Sequence, residues 1–157
     1  MNKKLIAFLL VPALAGCLSP APKSPVNWTL EFEAPARVAQ VVVCAPYNGT
    51  RLAVLRPNGS IAFDGFNAFA APPASIIGDA CASRRAHGAL IGRKLALDCR
   101  TEGRRDALVE LDLALEDNGP RAHGRAAVPT ADGNFTAAFS TALLQACNQA
   151  LEGLKAK

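Results

Sequence analysis

Few residues in this chain have chemistry to offer. Five cysteines, Cys17, Cys44, Cys81, Cys99 and Cys147, supply nucleophilic thiols, and two histidines, His87 and His123, supply imidazoles. Neither histidine sits at a spacing that activates a nucleophile or closes a metal site, and no cysteine pair has the short separation of zinc ligands. Ser140 stands in FSTAL, without the glycines of a hydrolase elbow. Asp64 and Asp132 each precede a glycine, the pattern of a turn rather than of a catalytic acid. No convergent acid, base or nucleophile is legible. The expectation is a non-enzymatic protein with no catalytic residue, no metal ligand and no cofactor.

Cys17 differs from the other thiols by its setting. It closes MNKKLIAFLLVPALAGC, in which Lys3 and Lys4 precede the apolar run Leu5 to Ala13 and small residues precede the thiol. That is a secretory signal, too short for a transmembrane span. Leu14, Ala15, Gly16 and Cys17 resemble the lipobox of bacterial lipoproteins, where small residues fit the peptidase and the thiol is acylated. Residues 1–16 therefore read as a lipoprotein signal peptide cleaved before Cys17, which leaves 141 of the 157 residues. The lipid attached at Cys17 would carry palmitate-type chains, each buried methylene contributing about 0.8 kcal/mol to membrane anchorage. Leu18 follows, not the aspartate that retains many such lipoproteins in the inner membrane. The expected location is the periplasmic face of the outer membrane.

Residues 17–27, CLSPAPKSPVN, hold Pro20, Pro22 and Pro25 and read as an extended tether. Residues 28–157 are then one domain by size. Loss of Lys3 and Lys4 with the signal lowers the formal charge from +4 to +2, which removes the support for nucleic-acid binding. Cys44, Cys81, Cys99 and Cys147 remain in a chain bound for an oxidising compartment. They are candidates for two disulfides with three pairings open, the alternative being that some stay as buried thiols.

The elements that must position these residues follow from periodicity. Strands are expected at Trp28–Phe32, Val38–Cys44, Leu52–Leu55 and Ser60–Phe63, the last two joined by a hairpin at Pro57, Asn58 and Gly59. A helix is expected from Ala74 to Arg85, with Pro73 suited to its first turn. Strands follow at Lys94–Cys99, Ala107–Leu115 and Ala122–Val128, the middle one alternating strictly with Glu110 and Asp112 on its outer face. Phe135–Leu154 repeats apolar residues at three and four, capped by Asn134. The fold class is α+β: an antiparallel sheet covered on one face by two helices.

FNAFAAPP, Phe66 to Pro73, sets two aromatics ahead of a proline pair that excludes a helix interior. Taken with the lipobox, the WTL of Trp28 to Leu30 and the RLAVLR of Arg51 to Arg56, it makes the chain resemble the ABC-type transport auxiliary lipoproteins. These are the paraquat-inducible protein C-like lipoproteins that accompany mammalian-cell-entry (MCE) domain lipid transporters. The resemblance implies an auxiliary role in lipid transport, with an MCE-domain protein and an ABC permease and ATPase as partners, the membrane reached through the lipid anchor, and homo-oligomer formation left open. In the family pattern Phe66 and Phe69 match an aromatic and a tryptophan. They have two readings: rings that pin a segment over the core, or, together with Tyr47, an apolar edge that contacts a partner or lipid. The rival functions are a stand-alone module holding an apolar ligand between helix and sheet, and a structural lipoprotein of the envelope.

Overall fold

The computed structural model describes residues 26–28, 30, 38, 40–82, 88–116, 118–131 and 133–156. The lipobox, Cys17, most of the tether, His87 and Asp132 lie outside the described residues. The elements run β1 Val26–Trp28, β2 Gln40–Val43, β3 Arg51–Leu55, β4 Ile61–Phe69, α1 Pro73–Ala82, β5 Ala89–Asp98, β6 Asp106–Ala114, β7 Arg121–Pro129 and α2 Phe135–Lys155. The class is α+β, as the periodicity predicts.

The sheet is mixed, which corrects the expectation of an antiparallel one. Its order is β1-β4-β3-β5-β6-β7, with β2 also paired to β5. The pairs β3–β4, β5–β6 and β6–β7 are antiparallel, while β1–β4, β2–β5 and β3–β5 are parallel. Parallel neighbours need a return path longer than a hairpin, and α1 supplies one ahead of β5. The ten residues of β5 carry β2 and β3 end to end along one edge: Val43 lies opposite Gly92 and Ala53 opposite Ala96. Ten steps of chain therefore span four steps of β5, and the surplus of six is taken up in the seven-residue excursion 44–50. Tyr47 sits in that excursion and is buried in the core.

β6 keeps the predicted alternation. Leu111 and Leu113 are wholly buried, while Glu110 and Asp112 point to the other face. Both helices cover the leucine face, since Ile77 of α1 and Leu143 of α2 line one small cavity with Leu90, Leu95, Val109 and Leu111. α2 buries Phe135, Ala138, Phe139, Ala142, Leu143, Ala146, Cys147 and Ala150. Burying a ring such as Phe139 contributes about 2–3 kcal/mol. The alanines let the helix approach closely, and Gly124 of β7 meets the backbone of Ala146 where any Cβ would collide. Asn134 caps α2 by accepting the N–H of Ala137 at 3.2 Å. At the sheet edge the N–H of Arg125 in β7 donates to Gln149 Oε1 of α2 at 2.6 Å.

Candidate functional site

β4 carries the feature that the burial of the rest does not explain. Ile61, Phe63 and Phe66 are 41%, 38% and 63% exposed, a row of large apolar side chains along one strand. The strand is bent at its middle. Ala53 pairs with Phe63 but Arg51 pairs with Ala68, so two steps on β3 answer five on β4 and the extra residues bulge. Asp64 builds this bulge: its Oδ1 accepts the N–H of Phe66 at 2.7 Å and of Asn67 at 3.0 Å, and its Oδ2 accepts the Asn67 side-chain amide at 2.9 Å. Burial raises its pKa, but these hydrogen bonds outweigh burial and leave the carboxyl below the ordinary value of 3.8. The Asp64–Gly65 turn read from the sequence thus holds Phe66 at the crest of the bulge. Arg51 places its guanidinium 5.1 Å over the ring of Phe63, which keeps that ring in a polar surface.

The structure separates the three expected edge residues. Phe66 is on the surface, but Phe69 is 4% exposed and packs edge-on against Phe139 at 6.0 Å, and Tyr47 is 7% exposed. The two rings therefore part: Phe69 pins the strand to α2 and Phe66 faces outward. The expected edge of Tyr47, Phe66 and Phe69 is corrected to Ile61, Phe63 and Phe66. Ile61 and Phe63 were legible only as an alternation with the small Ala62, and that pattern does not say which face is inward.

The register also fixes where the chain joins this surface. β1 runs parallel to β4 with Val26 opposite Asn67, so the chain enters the sheet beside Phe66, and Val26 and Asn27, expected in the tether, belong to the strand.

Elsewhere the outer face of the sheet is a charge lattice. Asp112 is held by Arg93 at 2.7 Å and His123 Nδ1 at 3.1 Å, and Glu110 by Lys94 at 2.7 Å and Arg125 at 3.2 Å. Burial raises the Asp112 pKa, and the hydrogen bonds from Arg93 and His123 bring it below the ordinary range. His123 with Asp112 has the form of an oriented imidazole, yet the next group is the cation Arg93 and not a nucleophile. Ser140 is buried in α2, across the sheet from this pair. Among the described residues no group of three or more metal-ligating side chains gathers.

Cys44, Cys81, Cys99 and Cys147 all carry thiols, so the two expected disulfides are absent among the described residues. The fold separates Cys99 from two of its three possible partners. Cys44 donates its N–H to Gly92 O at 2.8 Å and Cys99 follows β5 at its far end, donating to Leu55 O at 2.9 Å. Seven steps of strand lie between them, about 20 Å, against the roughly 7 Å limit between bridged Cα atoms. Cys147 adjoins Ala146, which touches Gly124, and Gly124 pairs with Leu111 opposite Gly92, so Cys147 is equally remote from Cys99. Cys99 is left without a reachable thiol on β5 or α2.

No family model matches the chain, and a search of curated proteins finds no match. Among solved structures it is similar to protein XCC0632 from Xanthomonas campestris, whose crystal structure is described with the family-model DUF330. The TM-score is 0.59 at 16% identity, over 85% of this chain and 96% of that one. A second crystal structure, described as an uncharacterized protein, aligns with TM-score 0.54 at 12% identity over 86% of this chain and all of that one. The chain thus shares the fold of a DUF330 protein.

Proposed function

We propose that this chain is an envelope lipoprotein that serves as the non-enzymatic auxiliary subunit of an MCE/ABC-type lipid transport system. In this reading Cys17 carries the lipid, the outer membrane is the anchoring surface, and Ile61, Phe63 and Phe66 receive the periplasmic end of the MCE assembly. The observation that carries it is the exposed apolar row beside the point where the tether meets the sheet. Monomer surfaces seldom expose such rows unless they bind something. Eight residues, 18–25, three of them proline, separate that row from the acylated cysteine. The lipobox resemblance and the shared DUF330 fold support the same reading, the latter at the level of fold. The energy would come from the ABC ATPase, because the sequence has no phosphate-binding loop.

A ligand-holding module is the less favoured reading. Two cavities between the helices and the sheet each enclose about 10 Å³, room for one water rather than an acyl chain, and the larger hollow of about 220 Å³ beside Val128, Asn134 and Thr141 lies open to solvent.

The test is to extract the native protein in mild detergent, capture it by a C-terminal tag, and identify its companions by mass spectrometry. Recovery of an MCE-domain protein with its permease and ATPase is expected, and Phe66→Ser should lose them while keeping the wild-type far-UV spectrum and melting temperature. Capture of the chain alone, or with porins and cell-wall material only, overturns the proposal.

A further inference from the structure

The two helices carry a cysteine each on the faces they turn to the sheet. α1 and α2 run in the same direction: α2 returns along β7 parallel to β6, and α1 leads from the end of β4 back to the start of β5. Ile77 and Leu143 line the same cavity between these helices and the sheet. One turn further along each helix, four residues on, come Cys81 and Cys147. They are 1% and 3% exposed and belong to one core cluster.

We propose that Cys81 and Cys147 form a single disulfide joining α1 to α2 when the exported chain meets a disulfide oxidant, and that Cys44 and Cys99 stay as thiols. The geometry selects this pair by exclusion as well as by proximity. Cys99 is distant from Cys44 and Cys147, as shown above, and the Cys44 thiol lies beside Arg93 on the outer face, on the far side of the sheet from the helices. The bond joins the two Sγ atoms. Two S–H bonds break, two protons leave, and two electrons pass to the oxidant, whose own disulfide is reduced to two thiols. Burial, with Cys81 nearby, pushes the Cys147 thiol up to about 12, so in the folded protein its reactive thiolate is scarce. Oxidation therefore occurs while the helices are still docking. Once formed, the bond is screened from reductants.

The proposal is independent of the lipid-transport reading and is tested on the full chain. The protein is unfolded, reduced, refolded with oxidised glutathione, then denatured, alkylated and digested with trypsin. Arg51, Arg84, Arg100 and Arg125 separate the four cysteines onto different peptides. The expected result is a linked pair of peptides bearing Cys81 and Cys147, lighter by two hydrogens than their sum, with Cys44 and Cys99 alkylated. In folded protein the link should survive dithiothreitol and vanish when denaturant is added. Cys81→Ser should leave Cys147 fully alkylated, even if that variant refolds poorly. Alkylation of both Cys81 and Cys147 in the refolded wild type, or a link from either to Cys44 or Cys99, overturns the proposal.

Discussion

An alanine at Gly124 would drive its Cβ into the backbone of α2. That atom would lie 2.7 Å from the carbonyl carbon of Ala146 and 3.2 Å from its Cα, with the carbonyl oxygen closer still. Carbon atoms in ordinary contact sit about 3.5–4.0 Å apart, so the helix must retreat by about 1 Å. No flexible side chain can absorb the shift, because the obstacle is main chain and its neighbours on the stripe are alanines that already touch the sheet. Overpacking typically costs about 1–3 kcal/mol, and the rigidity of this contact places Gly124→Ala at about 3 kcal/mol. For a domain of this size that lowers the melting temperature by about 10 °C. Far-UV circular dichroism on heating reads the change. Gly153→Ala is the control, since its Cβ would meet only the methyl of Ala122 at 3.2 Å and alanine favours the helix by about 0.5–1 kcal/mol. A Gly124→Ala protein that melts with the wild type would refute the reasoning, and with it the close approach of α2 to β7.

The two phenylalanines of FNAFAAPP should behave as opposites. Phe69→Ala empties a site against Phe139 and should cost about 3–5 kcal/mol in urea unfolding, whereas Phe66→Ala should stay within about 0.5 kcal/mol. Equal losses would contradict the burial that separates them. Acid should weaken the fold through its lowered carboxyls. Asp64, Asp98 and Asp112 all titrate below 3.8, Asp98 chiefly through its hydrogen bond from Arg100, so their stabilisation is complete above the unfolded value and is lost as pH falls through the folded one. Asp64→Asn keeps an acceptor for the Phe66 and Asn67 amides but removes the charge. Its stability deficit at pH 7 should shrink as pH falls below about 4, and a deficit constant with pH would show that the charge of Asp64 does not matter.

Local signals were the legible ones. β6 shows its alternation because it lies between two antiparallel neighbours with one face under the helices. α2 was legible to within a residue, because the nine buried residues of its stripe and its cap are local facts. The turn at Asp64 was legible as an Asp–Gly pair, but not that it interrupts a strand: Pro72 and Pro73 exclude a helix running through them while saying nothing about β4 upstream. The parallel pairings of β2 and β3 with β5 depend on partners more than forty residues away, for which the sequence carries no period. Tyr47 illustrates the same loss, since an apolar ring in a turn gives no sign of folding inward. Of the candidate site, Phe66 was legible, whereas Ile61 and Phe63 required knowledge of which face of β4 the core claims.

The bond from Arg125 to Gln149 bears on how many copies can crowd together. An outer strand with open amides is a template for adding another chain's strand. Here one of those amides is already satisfied by the chain's own helix, and the basic Arg121, His123 and Arg125 line the outward face of β7. A second β7 would have to displace Gln149 and bring like charges together. At Arg125, therefore, β7 is a poor template for a filament.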